Sequence, residues 1–180
     1  MAEPQLAALE AEADEASDLD SAIGAGDTTP STASLTDSIL KYRQENGRTY
    51  HAYKDGKYMG PNDEPEQDRL DLQHHLFSLT FDGKLFTAPI PKEKQVNRVL
   101  DVGTGTGVWA IDYADEHPET AVYGVDLSPI QPSFIPPNVT FQVDDLDQTW
   151  TFNSKFDFIY SRTMASSFKD WPGFFEQCLG

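Results

Sequence analysis

The sequence predicts an α/β fold in which a parallel sheet is flanked by helices. Strand-like runs stand at 98–102, 121–125, 139–143 and 156–160, separated by stretches that can hold helices. A glycine-rich turn at 103–107 follows the first run, and carboxylates end the second and third. Strands that alternate with helices pair in parallel, so their carboxyl ends meet at one edge of the sheet. The sequence therefore predicts a ligand site at that edge.

The first 37 residues predict a disordered acidic tail. Residues 1–38 hold nine acidic residues, no lysine or arginine, and no aromatic residue. Such a segment buries too little apolar surface to offset the entropy lost on ordering. An amphipathic helix over residues 6–16 is the alternative.

Residues 38–95 are predicted to form an N-terminal helical segment. Asp63 and Glu66 have the spacing of a capping box, which marks the start of a helix. Leu72, Leu76 and Leu79 follow at helical spacing. This pattern predicts an apolar helix face that packs on the sheet.

The most informative segment is the glycine turn. A dinucleotide-binding turn, G-x-G-x-x-G, requires its third glycine at position 108, but the chain has Val108 there and Gly107 before it. Asp101 precedes Gly103 by two residues. This carboxylate would repel a pyrophosphate but suits a ligand that carries an ammonium or sulfonium group. The spacing therefore argues against an NAD-binding dehydrogenase.

The D-x-G-x-G-x-G pattern resembles motif I of the class I S-adenosylmethionine (SAM)-dependent methyltransferases. The resemblance implies a Rossmann-like sheet with the strand order 3-2-1-4-5-7-6, with SAM as the cofactor. For this chain it predicts strands 3-2-1-4, with strands 5–7 absent, because the sequence stops at Gly180 after a candidate helix near 171–179. Residues 96–180 would then be a SAM-binding domain that is incomplete at its C-terminus. Its fourth strand would be an exposed edge, open to a partner protein or a second copy of the chain.

The resemblance assigns roles to the strand ends. Asp126 ends the second strand, where a carboxylate can accept two hydrogen bonds from ribose hydroxyls. In the family an acid after the third strand accepts a hydrogen bond from the adenine amino group, and the next backbone N–H contacts the adenine ring. Register favours Asp145 followed by Leu146 for these roles, with Asp144 as the rival.

The end of the fourth strand lies under the transferable methyl group in the family. Ser161 and Arg162 occupy this position, although Arg162 has pairing with a surface acid as an alternative. No catalytic residue or methyl acceptor is identified. The predicted cofactor-binding residues are Asp101, Gly103, Thr104, Gly105, Gly107, Asp126, Leu127, Asp145, Leu146, Ser161 and Arg162.

A narrower resemblance covers roughly residues 38–179. The stretches 42–56, 61–75, 127–132 and 169–172 resemble the fungal LaeA-like methyltransferases, which are regulators of secondary metabolism. In related enzymes the segment before the first strand closes over the cofactor, so Tyr50, His51 and His74 are candidate SAM contacts. A helix-surface pair is the alternative for His74 and His75. The predicted function is a SAM-dependent methyltransferase, and the alternative is a catalytically silent SAM-binding protein acting in a regulatory complex.

Composition restricts the partners and the compartment. A formal net charge of −17 argues against nucleic acid or an anionic membrane as a direct partner. The sequence has no run of 18 apolar residues and no signal peptide, which predicts an intracellular protein of the cytoplasm or nucleus. Cys178 is the single cysteine, in keeping with a reducing compartment, and the four histidines give no metal-ligand spacing with it. We therefore expect no metal.

Overall fold

The computed structural model describes residues 38–91 and 93–180, so the acidic tail predicted for residues 1–37 lies outside the described residues. The N-terminal part opens with an antiparallel hairpin of β1 (Arg43–Glu45) and β2 (Arg48–Tyr50). Asn46 and Gly47 form its two-residue turn with φ of 51° and 78°. This is the turn that an Asn-Gly pair favours between twisted strands. The hairpin was not predicted, because the sequence pattern indicated a helical segment here.

Helix α1 spans Glu64–Thr80 and begins where the capping pattern predicted. The Asp63 side chain accepts a hydrogen bond from the Glu66 backbone N–H, and Pro65 stands in the first turn. Arg48 of β2 binds the same carboxylate and holds its pKa at about 2. The hairpin and the start of α1 are therefore joined by one ion pair.

The apolar face predicted for α1 does not pack on the sheet. Leu72, Leu76 and Leu79 are 59%, 54% and 63% exposed. The two buried residues of the helix are Glu66 and His74. The prediction was wrong because His74 finds hydrogen-bonding partners on other elements, described below, and these polar contacts set which face of the helix turns inward.

Within the described residues, four parallel strands form the main sheet: β3 (Arg98–Val102), β4 (Ala121–Asp126), β5 (Val139–Val143) and β6 (Phe158–Ser161). Their order is β5-β4-β3-β6, which is the predicted 3-2-1-4 order when only these strands are numbered. Helix α2 (Val108–Glu116) follows β3 through the glycine turn, and α3 (Trp171–Leu179) follows β6. The predicted α/β fold class is confirmed, with β6 at the edge of the described sheet.

Apolar side chains cover both faces of β3 and β4. On one face Val99 and Val122 pack with Trp109 of α2, and on the other Leu100 and Val125 pack with Phe174 of α3. All six are nearly or fully buried. Burial on both faces fixes the central strands, so the turns at their carboxyl ends have rigid support. Among the described residues, no helix is long and apolar enough to cross a membrane.

Candidate functional site

The glycine turn is pinned to the neighbouring strand. The backbone N–H groups of Gly103 and Thr104 both donate to the Val125 carbonyl of β4, at 2.9 and 3.1 Å. Gly107 is the N-cap residue of α2 with φ 83°, and a Cβ there would lie 2.4 Å from the Phe141 ring. Gly107, which was predicted to bind the cofactor, therefore serves the close packing of α2 against β5 and does not line the cleft described next.

An open cleft lies at the carboxyl ends of β3, β4 and β5. Its lining brings together the glycine turn, the ends of β4 and β5, and the segment after β6. The hairpin-to-α1 connection contributes further lining residues, and so do Met164 and Phe168 after β6. Six of the predicted residues line it: Gly103, Gly105, Asp126, Leu127, Asp145 and Leu146.

Asp126 links the end of β4 to the glycine turn. Its Oδ2 accepts a hydrogen bond from the Gly105 N–H at 2.8 Å, and its Oδ1 accepts one from the Ser128 N–H at 3.0 Å. Burial raises the pKa of this carboxyl, and the backbone donors oppose the rise. The Gln131 amide spans the same two loops, since it donates to the carbonyls of Gly105 and Ser128 at 2.6 and 2.9 Å. The geometry leaves the carboxylate at the cleft with further lone pairs for a ligand.

Asp101 is a buried acid on the other side of the glycine turn. It is 3% exposed and accepts a hydrogen bond from the Thr104 hydroxyl at 2.6 Å. Burial raises its pKa to about 7, while the Thr104 hydroxyl and the nearby Arg162 guanidinium favour the ionised form. Asp101, Thr104 and Arg162 line a smaller cavity next to the main cleft. A ligand cation placed here would restore the charged carboxylate.

The loop after β5 carries both acids considered for the adenine group. Asp144 and Asp145 both line the cleft, and Asp145 is the more buried of the two at 5% exposed. The Lys57 ammonium binds Asp145 and lies 3.2 Å from an Asp147 carboxylate oxygen. Lys57 comes from the hairpin-to-α1 connection, and no sequence pattern indicated it as a residue of the site. Asp145 remains the prediction for the adenine contact, and its partner in the structure is Lys57.

The end of β6 and the residues after it have different surroundings. Ser161 is exposed and lines neither of them. Arg162 donates to His74 Nδ1 at 3.0 Å and lies over the Phe77 ring at 4.4 Å. Its partner is a buried histidine, not the surface acid considered as the alternative. The Met164 side chain lies against Gly103, where an added Cβ would be 2.2 Å from the sulfur.

The candidate SAM contacts before the first strand of the main sheet differ in whether they line a cavity. His51 is buried, and its ring nitrogens lie 2.8 Å from the Tyr53 carbonyl and 3.1 Å from the Tyr58 carbonyl. It holds the hairpin-to-α1 connection, and neither it nor Tyr50 lines the cleft or the smaller cavity. His75 is exposed whereas His74 is buried and lines the smaller cavity, so the helix-surface pair was wrong for His74. In the part of the chain that the structure describes, no cluster of His, Cys, Asp and Glu could hold a metal.

The fold and the cleft agree with a match to known proteins. A family model described as a methyltransferase domain matches residues 72–179. The chain belongs to this methyltransferase family. The match confirms the family that the glycine pattern predicted, and SAM is the cofactor that this family implies.

Three relatives illustrate the similarity of this methyltransferase-family chain. "Methyltransferase pytC" of Aspergillus terreus is 48% identical over 84% of the chain and 47% of its own length. "Secondary metabolism regulator LAE1" of Cochliobolus heterostrophus is 45% identical over 74% of the chain and 44% of its own length. "Protein-methionine methyltransferase laeA" of Emericella nidulans is 40% identical over 76% of the chain and 37% of its own length. The chain thus spans half or less of these curated relatives.

The residues of the cleft suit SAM as a ligand. SAM carries an ammonium and a sulfonium group, and both the buried Asp101 and the partly buried Asp126 accept hydrogen bonds from the glycine turn. The apolar part of the cleft includes Leu127 and Leu146, which can cover an adenine ring. Acidic and apolar groups therefore occur in the combination that a cationic nucleoside requires.

Proposed function

We propose that this chain forms the cofactor-binding part of a SAM-dependent methyltransferase. The observation that carries the proposal is the convergence of carboxylates from three consecutive strands. Asp101, Asp126 and Asp145 lie at or just after the carboxyl ends of β3, β4 and β5, around one glycine turn. Parallel strands bring these ends to one edge of the sheet, where ligands bind in open α/β folds.

Each carboxylate has a distinct task in this proposal. Asp126, already held by two backbone N–H groups, accepts hydrogen bonds from the ribose hydroxyls. Asp145 accepts a hydrogen bond from the adenine amino group, and the Leu146 backbone N–H contacts the adenine ring. Asp101 provides negative charge for the methionine half of the ligand. Bound SAM supplies an electrophilic methyl group on its sulfonium.

The residues of the chain act by orientation, without an assigned catalytic base. Holding the acceptor and the methyl group in line converts a bimolecular step into an effectively unimolecular one, which alone lowers the barrier substantially. Met164, which lies against Gly103, and Phe168 add apolar groups to the lining of the cleft.

The proposed biological setting is fungal secondary metabolism. Its support is the identity of 40–48% to relatives from fungi, of which one is named a regulator of secondary metabolism and another a methyltransferase. The methyl acceptor stays open. The printed name of the Emericella nidulans relative makes a protein methionine one class of acceptor to assay.

Titration calorimetry on the purified chain tests the cofactor. We expect S-adenosylhomocysteine and SAM to bind, with NAD much weaker, because Val108 removes the dinucleotide spacing and Asp101 repels a pyrophosphate. Equal or tighter binding of NAD would overturn the proposal. An assay with radiolabelled SAM then separates the two functions: binding without transfer to any fungal protein or metabolite fraction favours the catalytically silent, regulatory protein.

A further inference from the structure

A polar cluster centred on one buried histidine connects α1, α2 and the segment after β6. His74 of α1 is 7% exposed. Its Nε2 lies 3.0 Å from Asp112 Oδ2 of α2, and its Nδ1 lies 3.0 Å from Arg162 Nη2. These elements are far apart in sequence, and His74 and Arg162 line the same cavity as the glycine turn. A single imidazole thus joins an acid on one side to a guanidinium on the other.

The two neighbours determine which nitrogen carries the proton. A guanidinium has no acceptor, so Nδ1 must be unprotonated to receive the hydrogen bond from Arg162. The Asp112 carboxylate can only accept, so Nε2 carries the hydrogen. Both contacts are therefore satisfied by the neutral ring with its proton on Nε2. A doubly protonated ring would direct a donor at a cation and lose the Arg162 contact.

Arg162 is also held by a second residue of α1. Phe77 stands three residues after His74, on the same side of the helix, and its ring lies 4.4 Å from the guanidinium carbon. A guanidinium stacked on an aromatic ring and bonded at one nitrogen keeps few of its free rotamers. It lines the smaller cavity together with Asp101 and Gly103. A fixed cation and a buried acid therefore face the same space.

We propose that His74 is a positioning residue that fixes Arg162 as the contact for the α-carboxylate of the cofactor's methionine moiety. An amino-acid zwitterion needs an acid for its ammonium and a cation for its carboxylate. Asp101 and Arg162 supply this pair in one cavity. A guanidinium suits the task because its N–H groups match a carboxylate in a bidentate manner. The inference rests on the proposed function, since it assumes that SAM occupies the cleft.

Two substitutions separate the two hydrogen bonds of His74. In His74→Asn the amide oxygen takes the place of Nδ1 and can still accept from Arg162. In His74→Gln the amide nitrogen takes the place of Nε2, which keeps the donor to Asp112 but leaves Arg162 without its acceptor. Arg162→Ala removes the proposed contact itself. His75→Asn is the matched control, because His75 is the exposed neighbour on the same helix.

Calorimetry with SAM and with decarboxylated SAM, which lacks only the carboxylate, tests the proposal. We expect His74→Gln and Arg162→Ala to weaken SAM about tenfold, as for a lost hydrogen bond to a charged group, and to leave decarboxylated SAM unchanged. His74→Asn should bind SAM more tightly than His74→Gln, and His75→Asn should match the wild type. Equal losses for both ligands would indicate a structural role and overturn the proposal. So would wild-type affinity in His74→Gln.

A ligand-free measurement distinguishes this failure from failure of the proposed function. Nitrogen-15 NMR of the imidazoles reports which ring nitrogen carries the proton. We expect His74 to be protonated on Nε2, with an Nδ1 signal that changes in Arg162→Ala. If the wild type binds neither ligand, the proposed function fails and the carboxylate contact fails with it, whatever the tautomer. A proton on Nδ1 overturns the positioning role even if SAM binds.

Discussion

The Asp126 carboxylate and the Gly105 backbone N–H form a hydrogen bond of 2.8 Å that closes the end of β4 against the glycine turn. The residue proposed to hold the ribose is thus also the residue that shapes the turn beneath the cofactor. With Gly105 at φ 58°, the turn has a backbone conformation that other residues rarely adopt. One side chain therefore links cofactor recognition to the local fold.

We expect Asp126→Ala to weaken S-adenosylhomocysteine binding by about 1.5–3 kcal/mol, the range for hydrogen bonds to a charged group. Asp126→Asn should lose less, because its amide oxygen can still accept from one backbone N–H. Calorimetry measures both effects. Asp115→Ala, which removes an exposed acid of α2, controls for the change in net charge. If Asp126→Ala changes the affinity by less than about threefold, Asp126 does not contribute to cofactor binding.

Asp101 should make stability depend on pH. Burial holds its pKa at about 7 in the folded chain, against 3.8 when unperturbed. The folded protein therefore keeps a proton that the unfolded chain releases between about pH 4 and about pH 7, and the free energy of unfolding falls as the pH rises through this window. The stabilising contribution is complete below the lower value and lost above the upper one.

The comparison of wild type with Asp101→Asn isolates this effect. The variant has no carboxyl at this position, so its stability relative to the wild type should increase with pH, by at most about 1.4 kcal/mol per pH unit. Urea denaturation at several pH values measures the difference. Asp115→Asn, at an exposed acid of α2, is the control for the change of side chain. A constant difference across the window would mean that Asp101 is ionised in the folded chain.

Among the cations of the hairpin-to-α1 connection, Lys57 should be the one whose substitution lowers the stability most. Its side chain is 13% exposed and serves Asp145 and Asp147, whose side chains are 4% and 9% exposed. Lys57→Met leaves two buried acids without their cation, and breaking a buried pair costs about 3–5 kcal/mol of unfolding free energy. Urea denaturation measures the loss, and exposed Lys84→Met is the control. Adding Asp145→Asn to Lys57→Met should recover part of the stability, and equal stability of all variants would contradict the buried pairing.

Local sequence patterns were sufficient to predict the sheet and many of the residues that line the cleft. The strand, glycine turn and helix around Gly103 are adjacent in the chain, and the acids that end β4 and follow β5 stand where short-range periodicity locates the strand ends. The hairpin was missed although Asn46-Gly47 is a strong turn signal. The strands on either side of this turn are only three residues long, and no alternation marks them.

The contacts that complete the site could not be predicted in this way, because they join distant segments. His74 meets Asp112 and Arg162 at separations of 38 and 88 residues, and Lys57 meets Asp145 at 88. Nothing local distinguishes His74 from its exposed neighbour His75. The same distant contacts explain why the leucines of α1 face outward: the polar side of the helix has partners, and the apolar side has none among the described residues.

The outward face of α1 leads to a stability prediction. Leu76 is 54% exposed, whereas Leu100 of β3 is fully buried with Val102 and Val125. Leu76→Ala should change the free energy of unfolding by no more than about 0.5 kcal/mol, because it removes few contacts and alanine favours helix. Leu100→Ala should cost about 2–5 kcal/mol, since it leaves a cavity in a packed core. Urea denaturation compares the two. Similar losses would mean that Leu76 is covered in solution, and a loss that grows with protein concentration would identify the cover as a second copy of the chain.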